Sequence, residues 1–286
     1  MNFDTKPISA GLYFVATPIG SARDITLRGL DLLAGVDVIA AEDTRTARKL
    51  LEIHGVPLRG RTVLAYHDHS SEAMRARIVG EIAAGRSVAY VSEAGTPLVA
   101  DPGYALGRAV IEAGLPLTSA PGASAVLAAL TVSGLPTDRF LFVGFLAAAK
   151  VQRETEIAAL RDLPFTLIFY ESPKRVSEML YGLCEVMGGE RTAVVCRELT
   201  KRFEEVTRGS LAELAAAFDG KVVRGEIVVI VGRAGATDVV TADVEFALRE
   251  AMKTMRVKDA AILVAGAMGL PRRQVYQTAL AMEVKE

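Results

Sequence analysis

Residues 12–55 read LYFVATPIGSARDITLRGLDLLAGVDVIAAEDTRTARKLLEIHG, and the fold is decided here. A β-branched and aromatic run, Leu12–Thr17, precedes apolar residues at helical spacing over Asp24–Ala34. A second short apolar run, Val36–Ala41, and a second helical pattern, Thr44–His54, follow at once. Strands that alternate with helices need crossover connections, which specify a parallel sheet. The alternation continues through strands at Thr62–His67, Ser87–Ser92 and Pro116–Ala120 and helices at Ser71–Ala84 and Gly103–Ala113. Asp24, Thr44, Ser71 and Asp101 are residue types that cap helix starts, and Gly35, Gly55, Gly85 and Gly114 stand where helices should stop.

Beyond Leu135-Pro136 the pattern changes. Strands are expected at Phe140–Gly144, Phe165–Tyr170, Thr192–Leu199, Glu204–Thr207 and Glu226–Val231, with helices at Val151–Arg161, Pro173–Met187 and Ser210–Phe218. Thr192–Leu199 and Glu204–Thr207 have no helix between them, so this second sheet is mixed. The stretch RAGATDVVTAD (233–243) reads as a linker. After it only helical periodicity remains, over Val244–Thr254, Val257–Ala267 and Pro271–Ala281. The expected α/β architecture is a parallel-sheet domain over 1–135, a mixed-sheet domain over 136–235 and a small helical tail over 236–286.

Of the 286 residues, 51% are hydrophobic and 23% charged, which supports a sizeable core and excludes a disordered, charge-rich chain. The 33 basic and 34 acidic residues leave a net charge of -1, so a nucleic-acid partner would have to be held by a local basic patch. Cys184 and Cys196 lack any metal-binding spacing and fit a reducing compartment. Neither a leader nor an apolar run near the roughly 20 residues that span a bilayer is present, so the reading is cytoplasmic with no membrane contact. His67 and His69 fall on one face of a strand end with no third ligand in view, so no metal is expected.

Ligands of open α/β sheets bind beyond the carboxyl ends of the strands. Four unusual turns fall there: Thr17-Pro18-Ile19-Gly20, Ser92-Glu93-Ala94-Gly95-Thr96-Pro97, Ala120-Pro121-Gly122-Ala123-Ser124 and Tyr170-Glu171-Ser172-Pro173-Lys174-Arg175. Each alone has a purely conformational explanation, because tight turns favour Gly, Pro and Ser. Gly-x-Gly-x-x-Gly, the P-loop pattern and Gly-x-Ser-x-Gly are all missing, which weighs against dinucleotides, nucleoside triphosphates and serine hydrolysis. What remains is a cleft of small residues and backbone groups, with free N–H groups at the helix that starts near Ser124.

At these turns the chain resembles the tetrapyrrole methylase family over residues 11–232. VATPIG (15–20), EDTR (42–45), SEAGTPLVADPG (92–103), PGASA (121–125), FYESPKR (169–175) and CRELTKRFEEVTRG (196–209) look like the branch that methylates the 2′-hydroxyl of a cytidine in small-subunit ribosomal RNA. Tetrapyrrole enzymes of this family tend to carry Gly-Asp-Pro in the turn where this chain has Thr96, which favours the ribosomal branch over corrin or porphyrin substrates. The resemblance implies S-adenosylmethionine bound between two α/β domains, no metal, a homodimer, and small-subunit RNA or the assembled subunit as partner. By position, the cofactor would meet Ile19, Gly95, Thr96, Val99, Ser124, Ala125, Tyr170, Leu199, Gly225 and Glu226.

Glu171 and Asp101 are candidate bases for a ribose hydroxyl, and Lys174, Arg175 and Arg23 are candidate partners of RNA phosphate or of the developing alkoxide. Each has a plainer alternative: Asp101 as a helix cap, Glu171 as the ion-pair partner of Arg175, Arg23 as a solvated loop residue. Residues 249–275 carry Arg249, Lys253, Arg256, Lys258, Arg272 and Arg273 against Glu250 and Asp259, a net +4. With Gly269 and Pro271 between two helical patterns, the tail resembles a helix-turn-helix for RNA backbone contact, the alternative being a solvated face on a packing tail. A corrin or porphyrin methylase would have no use for that tail, and a non-catalytic RNA-binding protein would have none for the cofactor turns.

Overall fold

The computed structural model describes residues 3–234, 241–268 and 270–283. The linker reading falls mostly on 235–240, and Gly269 of the tail turn falls on its own gap, so both lie outside the described residues.

Strands β1 (Gly11–Val15), β2 (Val38–Ala41), β3 (Thr62–Ala65), β4 (Ser87–Val91) and β5 (Leu117–Ala120) form one sheet in the order β3-β2-β4-β1-β5. Every pairing in it is parallel. Alternate residues of the three central strands enter two different cores. Val15, Ile39, Ala41, Ala89 and Val91 pack with α1 (Leu27–Gly35) and α2 (Thr44–Ile53). Leu12, Phe14, Val38, Ala40, Val88 and Tyr90 pack with α3 (Glu72–Ala83) and α4 (Tyr104–Glu112) on the opposite face. Burial on both faces is why these strands read as unbroken apolar runs.

Three of the four helix starts differ from the expected caps, by one or two residues. Thr26 caps α1 by accepting from the Gly29 amide at 3.0 Å, in place of Asp24, and Asp43 caps α2 in place of Thr44. Ser71 caps α3 as expected. Helix α4 begins after Gly103, whose φ of +122° no side-chain-bearing residue adopts easily, so Asp101 is not its cap. The Asp101 carboxylate is therefore not spent on the α4 amides.

The second sheet has the order β6-β7-β10-β8-β9, made of β6 (Phe140–Phe145), β7 (Thr166–Glu171), β8 (Thr192–Arg197), β9 (Glu205–Ser210) and β10 (Ile227–Val231). Only β6–β7 is parallel, so the sheet is mixed as the missing crossover helix requires. Leu167, Phe169, Ala193, Val195 and Val229 face α6 (Lys150–Leu160), α7 (Val176–Met187) and α8 (Leu211–Phe218). Ile168, Val194, Val228 and Ile230 face the other way, onto Val126, Ala129 and Leu130 of α5 (Ala125–Ser133), the helix that leaves the first sheet. Arg208 of β9 donates to the Val132 and Ser133 carbonyls, which the end of α5 would otherwise leave unpaired.

Helices α9 (Thr241–Met252), α10 (Val257–Met268) and α11 (Arg272–Glu283) bury Val244, Leu248, Val264, Val275 and Ala279 in a core of their own. No helix among the described residues is long and apolar enough to cross a membrane.

Phe169 is fully buried in the largest core. Phe169→Ala should lower unfolding free energy by about 3–5 kcal/mol in urea titration. A loss below about 1 kcal/mol would mean that this sheet is not packed as described.

Candidate active site

Strands β7 and β8 end, and antiparallel β10 begins, at the same level: Ile227 pairs with both Glu171 and Arg197. The antiparallel insertion of β10 therefore delivers Gly225-Glu226 to the edge from which the 172–175 and 198–204 segments leave. Across from it are the turns after β1, β4 and β5. They are stitched together: Thr17 and Gly95 exchange backbone hydrogen bonds of 2.8 and 3.0 Å, and the Thr96 hydroxyl donates to the Ala123 carbonyl at 2.9 Å. Thr96 thus ties the strand-four turn to the strand-five turn.

Between the two sets of turns lies a cavity of about 380 Å³, within the size range of small-molecule sites. All ten expected cofactor positions line it: Ile19, Gly95, Thr96, Val99, Ser124, Ala125, Tyr170, Leu199, Gly225 and Glu226. Asp101 and Glu171 line it too. Lys174 does not, and is exposed on the segment just beyond. Sequence reasoning missed Glu42, Glu93, Phe145, Cys196 and Val228 as wall residues. The EDTR motif contained Glu42, but only the pairing of β2 with β4 shows which cavity it serves. Burial pushes the Cys196 thiol up to about 11, so that wall is apolar and unreactive at neutral pH.

Two opposed loops reach in by an uncommon backbone device. Leu98 and Ala100 have φ of +70° and +59° on either side of Val99, and Glu198 and Thr200 have φ of +51° and +63° on either side of Leu199. Left-handed conformations of residues with side chains cost energy and concentrate at binding sites. Nothing in the local sequence announces them, since none of the four is Gly or Asn. Gly225, at φ +92°, is required for another reason: a β-carbon there would overlap the Glu198 side chain. The Glu198 carboxylate accepts from the Glu226 amide at 2.9 Å and from Lys201 at 2.9 Å, and Lys201 also reaches Glu226 at 2.8 Å.

The two candidate bases differ in environment. Glu171 is buried, accepts from the Ser172 amide at 2.7 Å and pairs with Arg175 at 2.8 Å. Arg175 also donates to the Leu146 carbonyl at 2.7 Å, so the structure turns it inward as a clamp on Glu171 rather than outward toward phosphate. Asp101 is paired with no cation among the described residues. Burial, with the Glu42, Glu93 and Asp68 charges nearby and against a lowering contribution from Ser92, raises it to about 6. Burial also pushes the Tyr170 phenol up to about 12, so it stays neutral while its ring packs edge-on to Phe142 and Phe145.

The chemistry of the lining fits S-adenosylmethionine. Ile19, Val99, Ala125, Leu199 and Val228 offer apolar contact, the carboxylates of Asp101 and Glu226 suit a sulfonium or ammonium, and the N-terminus of α5 suits a carboxylate. Ser124, its N-cap, makes no side-chain cap bond and so leaves the first amides of α5 unclaimed by that hydroxyl. No group of three or more His, Cys, Asp or Glu side chains that could hold a metal occurs among the described residues.

The expected RNA contacts lie elsewhere. Arg23 is exposed in a short 3₁₀ turn, Ala22–Asp24. Arg256, Lys258, Arg272 and Arg273 are exposed on the tail helices while the apolar side chains there face inward.

Comparison with known proteins decides the family. The pattern of the tetrapyrrole (corrin/porphyrin) methylases matches residues 11–215, and that of the RsmI C-terminal HTH domain matches residues 238–283. The ribosomal RNA small subunit methyltransferase I of Mesorhizobium japonicum is 46% identical over 281 residues, covering 97% of this chain and 94% of that protein. The chain belongs to the ribosomal RNA small subunit methyltransferase I family. It is accordingly an S-adenosylmethionine-dependent methyltransferase. The Vibrio cholerae member of that family is 41% identical over 290 residues, covering 97% of this chain and 98% of that protein. Among solved structures, the methyltransferase CobJ aligns with a TM-score of 0.59 at 22% identity, covering 79% of this chain and 95% of that one. A uroporphyrin-III C-methyltransferase from Thermus thermophilus, complexed with S-adenosyl homocysteine, aligns at 0.54 and 19% identity over 78% of this chain and 98% of that one. At such identity these two show the shared fold.

Asp101 yields a prediction whose sign is fixed by linkage. Its folded pKa of about 6 lies above the ordinary 3.8, so ionising it weakens the fold increasingly as pH rises from 4 through 6. Asp101→Asn should therefore raise Tm at pH 8, by an amount equivalent to roughly 1–2 kcal/mol after solvent screening of a half-buried group, and leave it unchanged below pH 4. Calorimetric scans across pH check this, and a Tm difference independent of pH would contradict it.

Proposed function

We propose that the protein methylates the 2′-hydroxyl of a cytidine near the decoding site of small-subunit ribosomal RNA, as free RNA or in the assembled subunit. The observation that carries this reading is a pairing: an acid-bearing cavity of cofactor size at the joint edge of two sheets, and a separate basic helical unit on the same chain. The names of the relatives support the ribosomal substrate. In this reading residues 1–135 and 136–235 are the two halves of the catalytic body, and 236–286 is an RNA-holding tail. A cytoplasmic setting follows from the substrate. Exposed apolar side chains, among them Tyr104, Ile111, Leu127 and Val132 on α4 and α5, support a homodimer.

When bound, the sulfonium supplies an electrophilic methyl group. The chain's part is to align the ribose hydroxyl with it and to take the hydroxyl proton. Asp101 is the better base of the two candidates, because a carboxylate held near 6 is more proton-seeking than an ordinary one and is still ionised at neutral pH. Glu171, held by Arg175 and the Ser172 amide, serves to shape the segment that carries Tyr170. Lys174 and Arg23 are exposed and suited to phosphate. Arg256, Lys258, Arg272 and Arg273 give the tail its backbone affinity.

Transfer of labelled methyl from S-adenosylmethionine to small-subunit RNA, followed by digestion to nucleosides, tests the reading. The label should appear in 2′-O-methylcytidine. Asp101→Asn should lower kcat about 100-fold with cofactor still bound, and Glu171→Gln by less than about 10-fold. Deleting residues 236–286 should spare cofactor affinity and weaken RNA binding and its salt dependence together. Label in a base, or a full rate for Asp101→Asn, would refute the corresponding claim.

A further inference from the structure

A second cavity, about 550 Å³, shares Glu93 with the first and is lined by residues of the first sheet's loops and of α2. Thr17, Pro18 and Gly20 line it, whereas Ile19 lines the cofactor cavity, so the 17–20 turn is a thin partition between them. Glu93 faces both spaces. Ala47, Leu50 and Val91 give it an apolar lining, Ile53 adds a half-exposed apolar side chain, and the exposed Arg45 and Lys49 of α2 line it too. Among the described residues Arg45 is ion-paired only with Asp43 and Lys49 only with Glu52, each at the surface, with side chains 90% and 66% exposed. Arg48, on the same helix, is exposed as well. Such exposed pairs contribute little to stability and are free to exchange for a stronger anion.

We infer that this second cavity receives the target nucleotide of the RNA, its base against the apolar lining and its flanking phosphates on Arg45 and Lys49. The inference rests on the RNA-methylation reading and extends it from the tail to the catalytic body. Three physical requirements favour it. An acceptor hydroxyl must come within contact distance of the methyl group, and this is the cavity that meets the cofactor's at Glu93, so that a ribose can reach past the end of the 17–20 turn while its base stays behind it. A base unstacked from RNA needs an apolar surface in return, and single-stranded loops are where such bases are found. Finally, the carboxylates of the cofactor cavity would repel phosphate, so the phosphates need a cationic rim outside it. The partition leaves Asp101 on the cofactor side, where it would meet the hydroxyl and not the phosphates. The EDTR motif then gains a purpose: Glu42 faces the cofactor cavity, while Asp43 and Arg45, with Thr46 just after the motif, line its neighbour.

The test uses the full chain with S-adenosylmethionine and small-subunit RNA. Arg45→Ala with Lys49→Ala, both on an exposed surface, should raise the KM for RNA at least tenfold, with cofactor Kd unchanged and kcat within about threefold. The slope of log KM against log salt should fall by about 1.4, the change expected when two phosphates of a single strand are no longer neutralised by the protein. Thr46→Trp, exposed and pointed at the same space by its place in the lining, should block methyl transfer by filling it while leaving cofactor binding and Tm intact. Wild-type kinetics in both variants would overturn the assignment of this cavity and leave the RNA reading standing. Cofactor binding without any methyl transfer to RNA by the unaltered protein would overturn both.

Discussion

The contact on which everything else depends is helix α5 against the second sheet. Val126, Ala129 and Leu130 pack on Ile168, Val194, Val228 and Ile230, so the helix that leaves the first sheet is buried by the second. That apolar seam fixes the carboxyl edge of one sheet opposite that of the other, with Ser124 and Ala125 at the start of α5 lining the space between them. Each buried Val, Ile or Leu among them is worth about 1.5–3 kcal/mol relative to exposure, so the seam holds the two halves of the cavity by the hydrophobic effect. Arg208 secures the far end of the same helix.

Charge divides the molecule into compartments. Asp101, Glu171, Glu226, Glu42 and Glu93 surround the cavity between the two sheets, and the cations beside it, Arg175 and Lys201, are committed to Glu171 and to Glu198 and Glu226. A cationic ligand is favoured there and a phosphate is not. Basic side chains gather instead on α2 and on the tail helices. The net charge of -1 conceals this separation, because a sum over the chain carries no information about position.

The architecture was legible in the sequence because burial on both faces leaves apolar runs, and because a missing helix between Thr192–Leu199 and Glu204–Thr207 leaves only an antiparallel pairing. That the turn residues at the strand ends come together around one cavity was legible too. Other features were not. Which acid is clamped depends on side-chain geometry: the sequence offers Glu171 both as a base and as the ion-pair partner of Arg175, and only the folded chain shows Arg175 holding it. Asp101 reads as a helix cap by residue type, although the helix is expected from Gly103, and only the positive φ of Gly103 shows that the cap is the glycine. The left-handed turns at Leu98, Ala100, Glu198 and Thr200 oppose local preference and are sustained by their surroundings. The second cavity arises from the juxtaposition of α2 with the β1 and β4 turns, which no local pattern announces.

The central claim is that the space between the α5 amino terminus and the second sheet's edge is the methyl-donor site. A crystal structure of the protein grown with S-adenosylhomocysteine tests it most directly. The account predicts the ligand enclosed by Ile19, Val99 and Ala125 on one side and Tyr170, Leu199 and Glu226 on the other, with its sulfur on the side of Asp101. The ligand bound outside that space, or its sulfur turned away from Asp101 toward the second sheet, would contradict the account.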